Sequence, residues 1–182
     1  MRIIAGKYRS RKLFTLEGLQ TRPTLDQTKE AIFSSLGGYI PGFTILDVFG
    51  GSGALSLESL SRGAKNATII DANIDAINII KKNATSLGVG KELAIYHGSY
   101  VTILENLKKN KYDIVFLDPP FRMKVIDELC DYLIKNDMIE DGGYIVAEYP
   151  KEDIVNKDYP GFRVKLCRRY SSSEVIILEK ED

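Results

Sequence analysis

Histidine and cysteine are scarce in this chain of 182 residues, which has one histidine, His97, and two cysteines, Cys130 and Cys167. None of them stands at metal-ligand spacing, so we expect no metal site and reduced, structural thiols. There is no run of about 18 apolar residues to span a membrane. The N-terminal stretch MRIIAGKYRSRKL is too polar for a signal peptide. These absences favour a cytoplasmic protein.

The chain has no net charge overall, but its positive charge is concentrated at the N-terminus. Residues 1–40 carry seven Lys or Arg and three acidic residues. Such an arm favours an anionic partner, although it can equally be a structural edge of the sheet. A second cluster at 163–169 is as readily explained by solvated charges on an edge strand. The candidate phosphate contacts in the arm are Arg2, Lys7, Arg9, Arg11 and Lys12.

Strand and helix patterns alternate regularly from residue 43 onward, which predicts an α/β domain with a parallel sheet covered on both faces. Two final strand-like runs, FRVKLCRRY and SEVIILEK, predict an antiparallel hairpin at the sheet edge. A helix is expected in RPTLDQTKEAIFSSLGG. The other predicted strands lie at 43–49, 67–71, 93–97, 112–118 and 143–149, and the other predicted helices at 54–63, 73–87, 100–109 and 124–136.

A glycine loop follows the first of these strands and carries Gly50, Gly51 and Gly53. Glycine permits positive φ and a close approach of backbone N–H groups to a ligand. Asp71 ends the next strand, where a carboxylate can bind a ribose. The pair predicts an adenosine-type cofactor, either NAD or S-adenosylmethionine (SAM). The dinucleotide fingerprint is incomplete because Ser56 stands at its third position. An ordinary turn and a helix cap are the alternatives.

The fourth strand runs into Asp118-Pro119-Pro120-Phe121. Two prolines make a rigid turn without N–H donors, so its carbonyls and Asp118 can accept hydrogen bonds from an amino group. Phe121 offers a flat surface on which a nucleobase can stack. These features predict a site for a base amine. The alternative is a strand-ending turn with Phe121 in the core.

DPPF resembles the (D/N/S)PP(Y/F) motif of SAM-dependent amino-methyltransferases, and residues 46–64 resemble their motif I. Nearly the whole chain is similar to the RsmD family of bacterial small-subunit rRNA guanine-N2 methyltransferases. The opening MRIIAGKYRSRKL, the segment Thr21-Arg22-Pro23-Thr24 and the stretch KEAIF occur in the family's order. Two departures are Gly50, where the family usually has Ala, and Ser99, where it usually has an acid that contacts the adenine amine.

The resemblance implies a class I SAM-dependent methyltransferase fold, Rossmann-like, with a seven-stranded sheet, an antiparallel edge hairpin and a small N-terminal arm. Residues 1–40 would be an RNA-binding arm and helix, and residues 41–182 the methyltransferase domain. Arg22 joins the RNA-binding residues. The implied catalytic residues are Asp118, Pro119, Pro120 and Phe121. The implied cofactor-binding residues are Asp47, Phe49, Gly50, Gly51, Ser52, Gly53, Asp71, Ala72 and Ser99.

The implied activity is methyl transfer from SAM to the exocyclic N2 amine of a guanine in 16S rRNA, without a metal. We expect a monomer that acts on small-subunit rRNA, either free or in the assembling or assembled 30S subunit. An adenine-N6 nucleic-acid methyltransferase is one alternative, and an RNA-binding protein with a vestigial cofactor site is another. An NAD dehydrogenase would leave DPPF and the basic arm without a role.

Overall fold

A computed structural model describes residues 1–16 and 23–181 of the chain. Seven strands and five helices build it, and none of the described helices has the length and apolar character needed to cross a membrane. The helices are α1 Pro23–Ser35, α2 Ala54–Ser61, α3 Ile74–Leu87, α4 Tyr100–Leu107 and α5 Ile126–Lys135. The strands are β1 Thr44–Asp47, β2 Asn66–Asp71, β3 Leu93–His97, β4 Tyr112–Leu117, β5 Ile139–Pro150, β6 Phe162–Arg169 and β7 Ser173–Lys180.

The seven strands form a single sheet in the order β3-β2-β1-β4-β5-β7-β6. The first five are parallel, and β7 lies antiparallel between β5 and β6. The predicted sheet with an antiparallel edge hairpin is thereby confirmed. The chain leaves β1 toward β2 on one side and returns to β4 on the other, so the strand order reverses between β1 and β4. Ligands bind at such a reversal, beyond the carboxyl ends of the strands.

Each face of the sheet is covered by its own set of elements. Phe33 of α1 and Leu57 of α2 pack on one face with Phe116 of β4. On the other face, Leu104 of α4 and Leu129 of α5 pack with residues of the same sheet. The central strands β1 and β4 are therefore buried on both sides, as their continuous apolar runs predict, whereas the edge strand β3 is partly exposed.

The N-terminal arm packs on the first of these faces as part of the core. Ile3, Tyr8 and Leu13 are buried in the same apolar cluster as α1 and α2. Gly6 adopts φ +86°, and a Cβ there would lie 1.8 Å from the Ser61 carbonyl oxygen. The arm and the sheet thus share one cluster, and the boundary at residue 40 stays a prediction.

A buried carboxylate, Glu58 on α2, anchors the arm. The backbone N–H groups of Ile4 and Ala5 donate to its two oxygens at 2.8 and 3.0 Å. Lys29 and Arg62 form ion pairs with the same carboxylate at 3.1 and 2.8 Å. Since an unpaired buried charge is strongly unfavourable, removal of the arm would leave Glu58 and its neighbours short of partners. The arm therefore contributes to stability as well as to surface charge.

Asn83 of α3 connects the arm to the glycine loop. Its side-chain oxygen accepts from the Phe14 N–H at 2.7 Å, and its Nδ2 donates to the carbonyl oxygens of Phe14 and Ser52 at 3.0 and 2.8 Å. Asn83 is fully buried. This amide thus holds one end of the arm against the backbone of the predicted cofactor loop.

Candidate active site

The glycine loop between β1 and α2 owes its three glycines to two different causes. Gly51 and Gly53 have positive φ, at 55° and 78°, which favours glycine. Gly50 has no positive φ, but a Cβ there would lie 2.1 Å from Cγ2 of Ile69. A Cβ on Gly51 would meet nothing within 4 Å, so this part of the loop faces open space. A ligand can therefore approach the backbone at Gly51.

Asp71 is joined directly to that loop. Its Oδ2 accepts from the Gly51 N–H at 2.8 Å, and its Oδ1 accepts from the Asn73 N–H at 2.8 Å. Each carboxylate oxygen has a second lone pair, so both can still accept from ribose hydroxyls. The structure thus brings together two predicted cofactor residues, Asp71 and Gly51, at the carboxyl end of β2.

Asp47, the last residue of β1, is buried beneath the loop. Its Oδ2 accepts from the Ser56 hydroxyl at 2.9 Å, whereas its Oδ1 has no hydrogen-bond partner among the described residues. The pKa of Asp47 is raised to about 7, chiefly because burial disfavours the charged form; the charge of Asp71 adds to this rise and the Ser56 hydrogen bond opposes it. A buried carboxylate with an unpaired oxygen suits a cationic ligand group.

The remaining predicted cofactor residues line the same edge of the sheet. Ser52 lies beside the arm, and its hydroxyl contacts the Met1 sulfur at 3.7 Å. Ala72 is exposed, and the Phe49 ring packs against that of Tyr100 with centroids 5.3 Å apart. Ser99 occupies the N-cap position of α4, but its exposed side chain makes no capping hydrogen bond. Its hydroxyl is therefore available to a ligand.

The DPPF segment forms an open turn after β4. The Pro120 carbonyl accepts from the Met123 N–H at 2.8 Å, whereas no described backbone N–H donates to the Pro119 carbonyl. Phe121 is 46% exposed and lies outside the core. The turn thus presents one free carbonyl and one accessible aromatic ring, which argues against the alternative of a purely structural turn.

Three carboxylates meet at this end of the sheet. Asp118 is partly exposed to solvent, while neighbouring protein atoms desolvate its carboxyl group in part. This desolvation, with the charges of Glu148 and Asp47, raises the pKa of Asp118 well above its usual value. Burial also raises the pKa of Glu148, on β5, although the Ser173 hydroxyl lowers it in part. Raised carboxyl pKa values in a cleft are typical of functional sites.

Glu148 is a site residue that the sequence-based prediction missed. It lies in the apolar run GYIVAEY, which indicates only a buried strand. The available signal was a carboxylate near the end of a fifth parallel strand, where ligands bind. The parallel register pairs Leu117 with Ala147, so Asp118 and Glu148 are the next residues along β4 and β5.

A recess beside the DPPF turn is a second missed feature. It has a volume of about 290 Å³, and segment 152–155 contributes to its walls. Phe121, Met123 and Ile154 are exposed apolar side chains in these walls, Ile154 at 97%. The Lys124 ammonium lies 3.4 Å from the Asp153 carboxylate across the recess. The recess offers apolar contacts next to the predicted base-binding turn.

The basic residues of the arm point outward while its apolar residues are buried. All five described cations of the arm are exposed. Arg2 lies 3.8 Å from Asp26, and Arg11 donates to the Ser86 carbonyl at 2.5 Å. Arg22 lies outside the described residues. The RNA-binding role of these residues stays a prediction.

The second basic cluster, at 163–169, is partly paired with two carboxylates of the neighbouring strand. Arg163 and Lys165 form ion pairs with Glu179, and Arg169 pairs with Glu174. These contacts favour the interpretation as an edge strand with locally paired charges. Within residues 1–16 and 23–181, no group of three or more His, Cys, Asp or Glu side chains is arranged to hold a metal.

The sheet order, the glycine loop and the strand-end acids define a class I methyltransferase fold. The solved structure of yhhF, a candidate methyltransferase from Escherichia coli, has a TM-score of 0.87 and 31% identity, and covers 100% of this chain and 98% of that chain. A candidate methyltransferase solved in complex with SAH has a TM-score of 0.65 at 13% identity, covering 84% of this chain and 48% of that chain. The latter shows the fold alone.

A family model described as "Conserved hypothetical protein 95" matches residues 1–179. The chain belongs to this family, the RsmD family that its motifs resemble. One curated relative is the ribosomal RNA small subunit methyltransferase D of Haemophilus influenzae. It is 36% identical over 154 residues, which is 84% of this chain and 80% of the relative.

Proposed function

We propose that this protein transfers a methyl group from SAM to the exocyclic N2 amine of a guanine in 16S rRNA. The observation that carries the proposal is the open DPPF turn, with its free Pro119 carbonyl and Asp118 carboxylate, beside the loop bonded to Asp71. The name of the Haemophilus influenzae relative supports small-subunit rRNA as the substrate. We further propose a cytoplasmic monomer that acts on the rRNA either free or in the assembling or assembled 30S subunit.

The residues around β1 and β2 fit SAM. Asp71 would bind the ribose hydroxyls, and the open backbone at Gly51 would lie against the methionine moiety. The unpaired Oδ1 of Asp47 would accept from the methionine ammonium group. Ser99 would donate or accept at the adenine through its hydroxyl. When bound, SAM supplies a methyl group on a sulfonium that is a good leaving group.

The DPPF turn would hold and orient the target amine. Asp118 and the Pro119 carbonyl would accept hydrogen bonds from the two N–H groups of the target amine. These bonds would direct the nitrogen lone pair at the methyl carbon. In the proposed transfer the amine nitrogen would take the methyl group, the thioether would leave with the electrons of the C–S bond, and the nitrogen would then lose a proton. The methylated amine is cationic, so its proton can pass to water or to the Asp118 carboxylate without a strong base. Phe121 would stack on the base, which must first leave its own stack.

Product analysis tests the proposal. Purified protein is incubated with methyl-labelled SAM and either deproteinised 16S rRNA or 30S subunits, and the RNA is digested to nucleosides. We expect label in N2-methylguanosine. Label in N6-methyladenosine would instead support the adenine alternative. RNA binding without label in either substrate would support a vestigial cofactor site.

Cofactor binding is tested separately by calorimetry with SAM, demethylated SAM and NAD. We expect both SAM forms to bind and NAD not to bind. The Asp71→Ala variant should bind SAM more weakly by about 1–3 kcal/mol because charge-assisted hydrogen bonds are lost. Tight NAD binding without SAM binding would contradict the proposal.

A further inference from the structure

Glu148 and Asp118 form a pair of hydrogen-bond acceptors, and neither carboxylate is paired with a cation among the described residues. The two residues follow a paired position in adjacent parallel strands, Leu117 with Ala147. Paired positions of a parallel sheet project to the same face, so both side chains lie on one side of it. No Lys or Arg in residues 1–16 and 23–181 forms an ion pair with either carboxylate. The repulsion between the two carboxylates is therefore not relieved by an ion pair among the described residues.

One oxygen of Glu148 remains open to a ligand. Its Oε1 accepts from the Ser173 hydroxyl at 2.7 Å, which orients the half-buried carboxylate. Its Oε2 has no protein partner within the described ranges. The side chain is therefore held in place through one oxygen while the other oxygen keeps its capacity to accept, as expected for a residue that reads a substrate.

Guanine supplies the donors that such a pair requires. Its Watson–Crick edge carries N2–H and N1–H side by side, whereas adenine carries an amine donor next to N1, which is an acceptor. An ionised carboxylate is an acceptor only. A second carboxylate beside Asp118 can thus accept a hydrogen bond from N1–H of guanine, whereas it repels the unprotonated N1 of adenine. Attraction to one base together with repulsion of the other is the basis of specificity.

We infer that Glu148 is a specificity-determining residue that accepts a hydrogen bond from N1–H of the target guanine while Asp118 holds the N2 amine. This inference rests on the proposed function and deepens it, because it assigns the choice of guanine to a particular side chain. The Glu148 carboxylate distinguishes guanine from any purine whose N1 carries no hydrogen.

The test uses 2-aminopurine, which keeps the 2-amine but has an unprotonated N1. Small-subunit rRNA is assembled by ligation with guanine or 2-aminopurine at the target position, which is first mapped by comparing rRNA from strains with and without this gene. Methyl transfer is then compared for wild type and Glu148→Gln. The Gln side chain keeps an oxygen for Ser173 and presents an N–H₂ that can donate to the N1 of 2-aminopurine.

We expect wild type to prefer guanine by on the order of 10²-fold or more, because 2-aminopurine leaves the half-buried Glu148 acceptor unpaired. Glu148→Gln should lower the ratio of the guanine rate to the 2-aminopurine rate by at least about tenfold. This variant should also methylate 2-aminopurine faster than wild type does. The Ser173→Ala control loses the strand contact and should keep the preference for guanine. An unchanged ratio in Glu148→Gln would overturn the inference while the proposed function stands. Absence of guanine methylation by wild type would overturn both.

Discussion

Replacement of Asp47 by Asn should stabilise the protein in the absence of ligand while weakening SAM binding. The wild-type carboxylate is buried, accepts one hydrogen bond from Ser56 and leaves Oδ1 unpaired. Asn has nearly the same shape and can keep the Ser56 contact, but it carries no charge. The substitution therefore removes the cost of burying a charge, which natural proteins accept at functional sites.

The magnitude follows from the pKa of Asp47. Burial raises it from 3.8 to about 7, so the folded protein binds this proton more tightly than the unfolded chain does. Wild-type stability should then fall as pH rises from about 4 to about 7, and level off above that. The difference of about 3 pKa units corresponds to about 4 kcal/mol as an order of magnitude. Asp47→Asn should regain much of this free energy of unfolding at pH 8 and little of it at pH 4.

Urea denaturation of both proteins between pH 4 and pH 8 measures this difference. Ser56→Ala is a matched control, because it removes the hydrogen bond that favours the charged form and should destabilise more at pH 8 than at pH 4. Calorimetry should show weaker SAM binding by Asp47→Asn. A stability difference that is independent of pH, or that favours wild type at pH 8, would refute the reasoning.

Two further predictions concern the arm and the glycine loop. Neutralisation of Arg9 and Lys12 to Gln should leave the melting temperature unchanged but lower the salt slope of RNA binding by roughly 0.7–0.9 for each lost phosphate contact. The same change at Lys109 should not lower the slope, because this exposed residue follows α4, which packs on the other face of the sheet from the arm. Equal slopes in all proteins would contradict the proposed RNA contacts. Gly50→Ala should lower the free energy of unfolding by about 1–3 kcal/mol through overpacking against Ile69. In an Ile69→Ala background, Gly50→Ala should lower the free energy of unfolding by less than it does in the wild-type background. Equal losses in the two backgrounds would exclude that clash.

The strand and helix alternation was predictable because buried parallel strands and amphipathic helices have distinct apolar periods. The predicted helix at 73–87, for example, is confirmed as Ile74–Leu87. Asp71 and the glycine loop were also identifiable as neighbours, since carboxyl ends of adjacent parallel strands meet at one edge. The position of β7 beside β5 was not predicted, because pairing between distant strands depends on packing and not on local pattern.

Residues whose role depends on tertiary contacts escaped the sequence-based prediction. Glu58 and Asn83 are polar residues in helices, where such residues usually face solvent, yet both are buried against the arm. Glu148 gains its significance only from its register with Asp118. Glycine at position 50 has a packing cause that the sequence did not reveal, because Ile69 occupies the space that a Cβ would fill; its role in cofactor binding stays a prediction. These contacts join segments that are far apart in the sequence.

The central claim is tested most directly by mapping methylated guanines in 16S rRNA from a strain that lacks this gene. We predict that one N2-methylguanine disappears, returns with the wild-type gene, and does not return with Asp118→Ala, whose purified protein should still bind SAM normally. Asp118 acts mainly in the transition state, so its loss should cut turnover by orders of magnitude. An unchanged methylation pattern in the deletion strain, or full restoration by Asp118→Ala, would contradict the account.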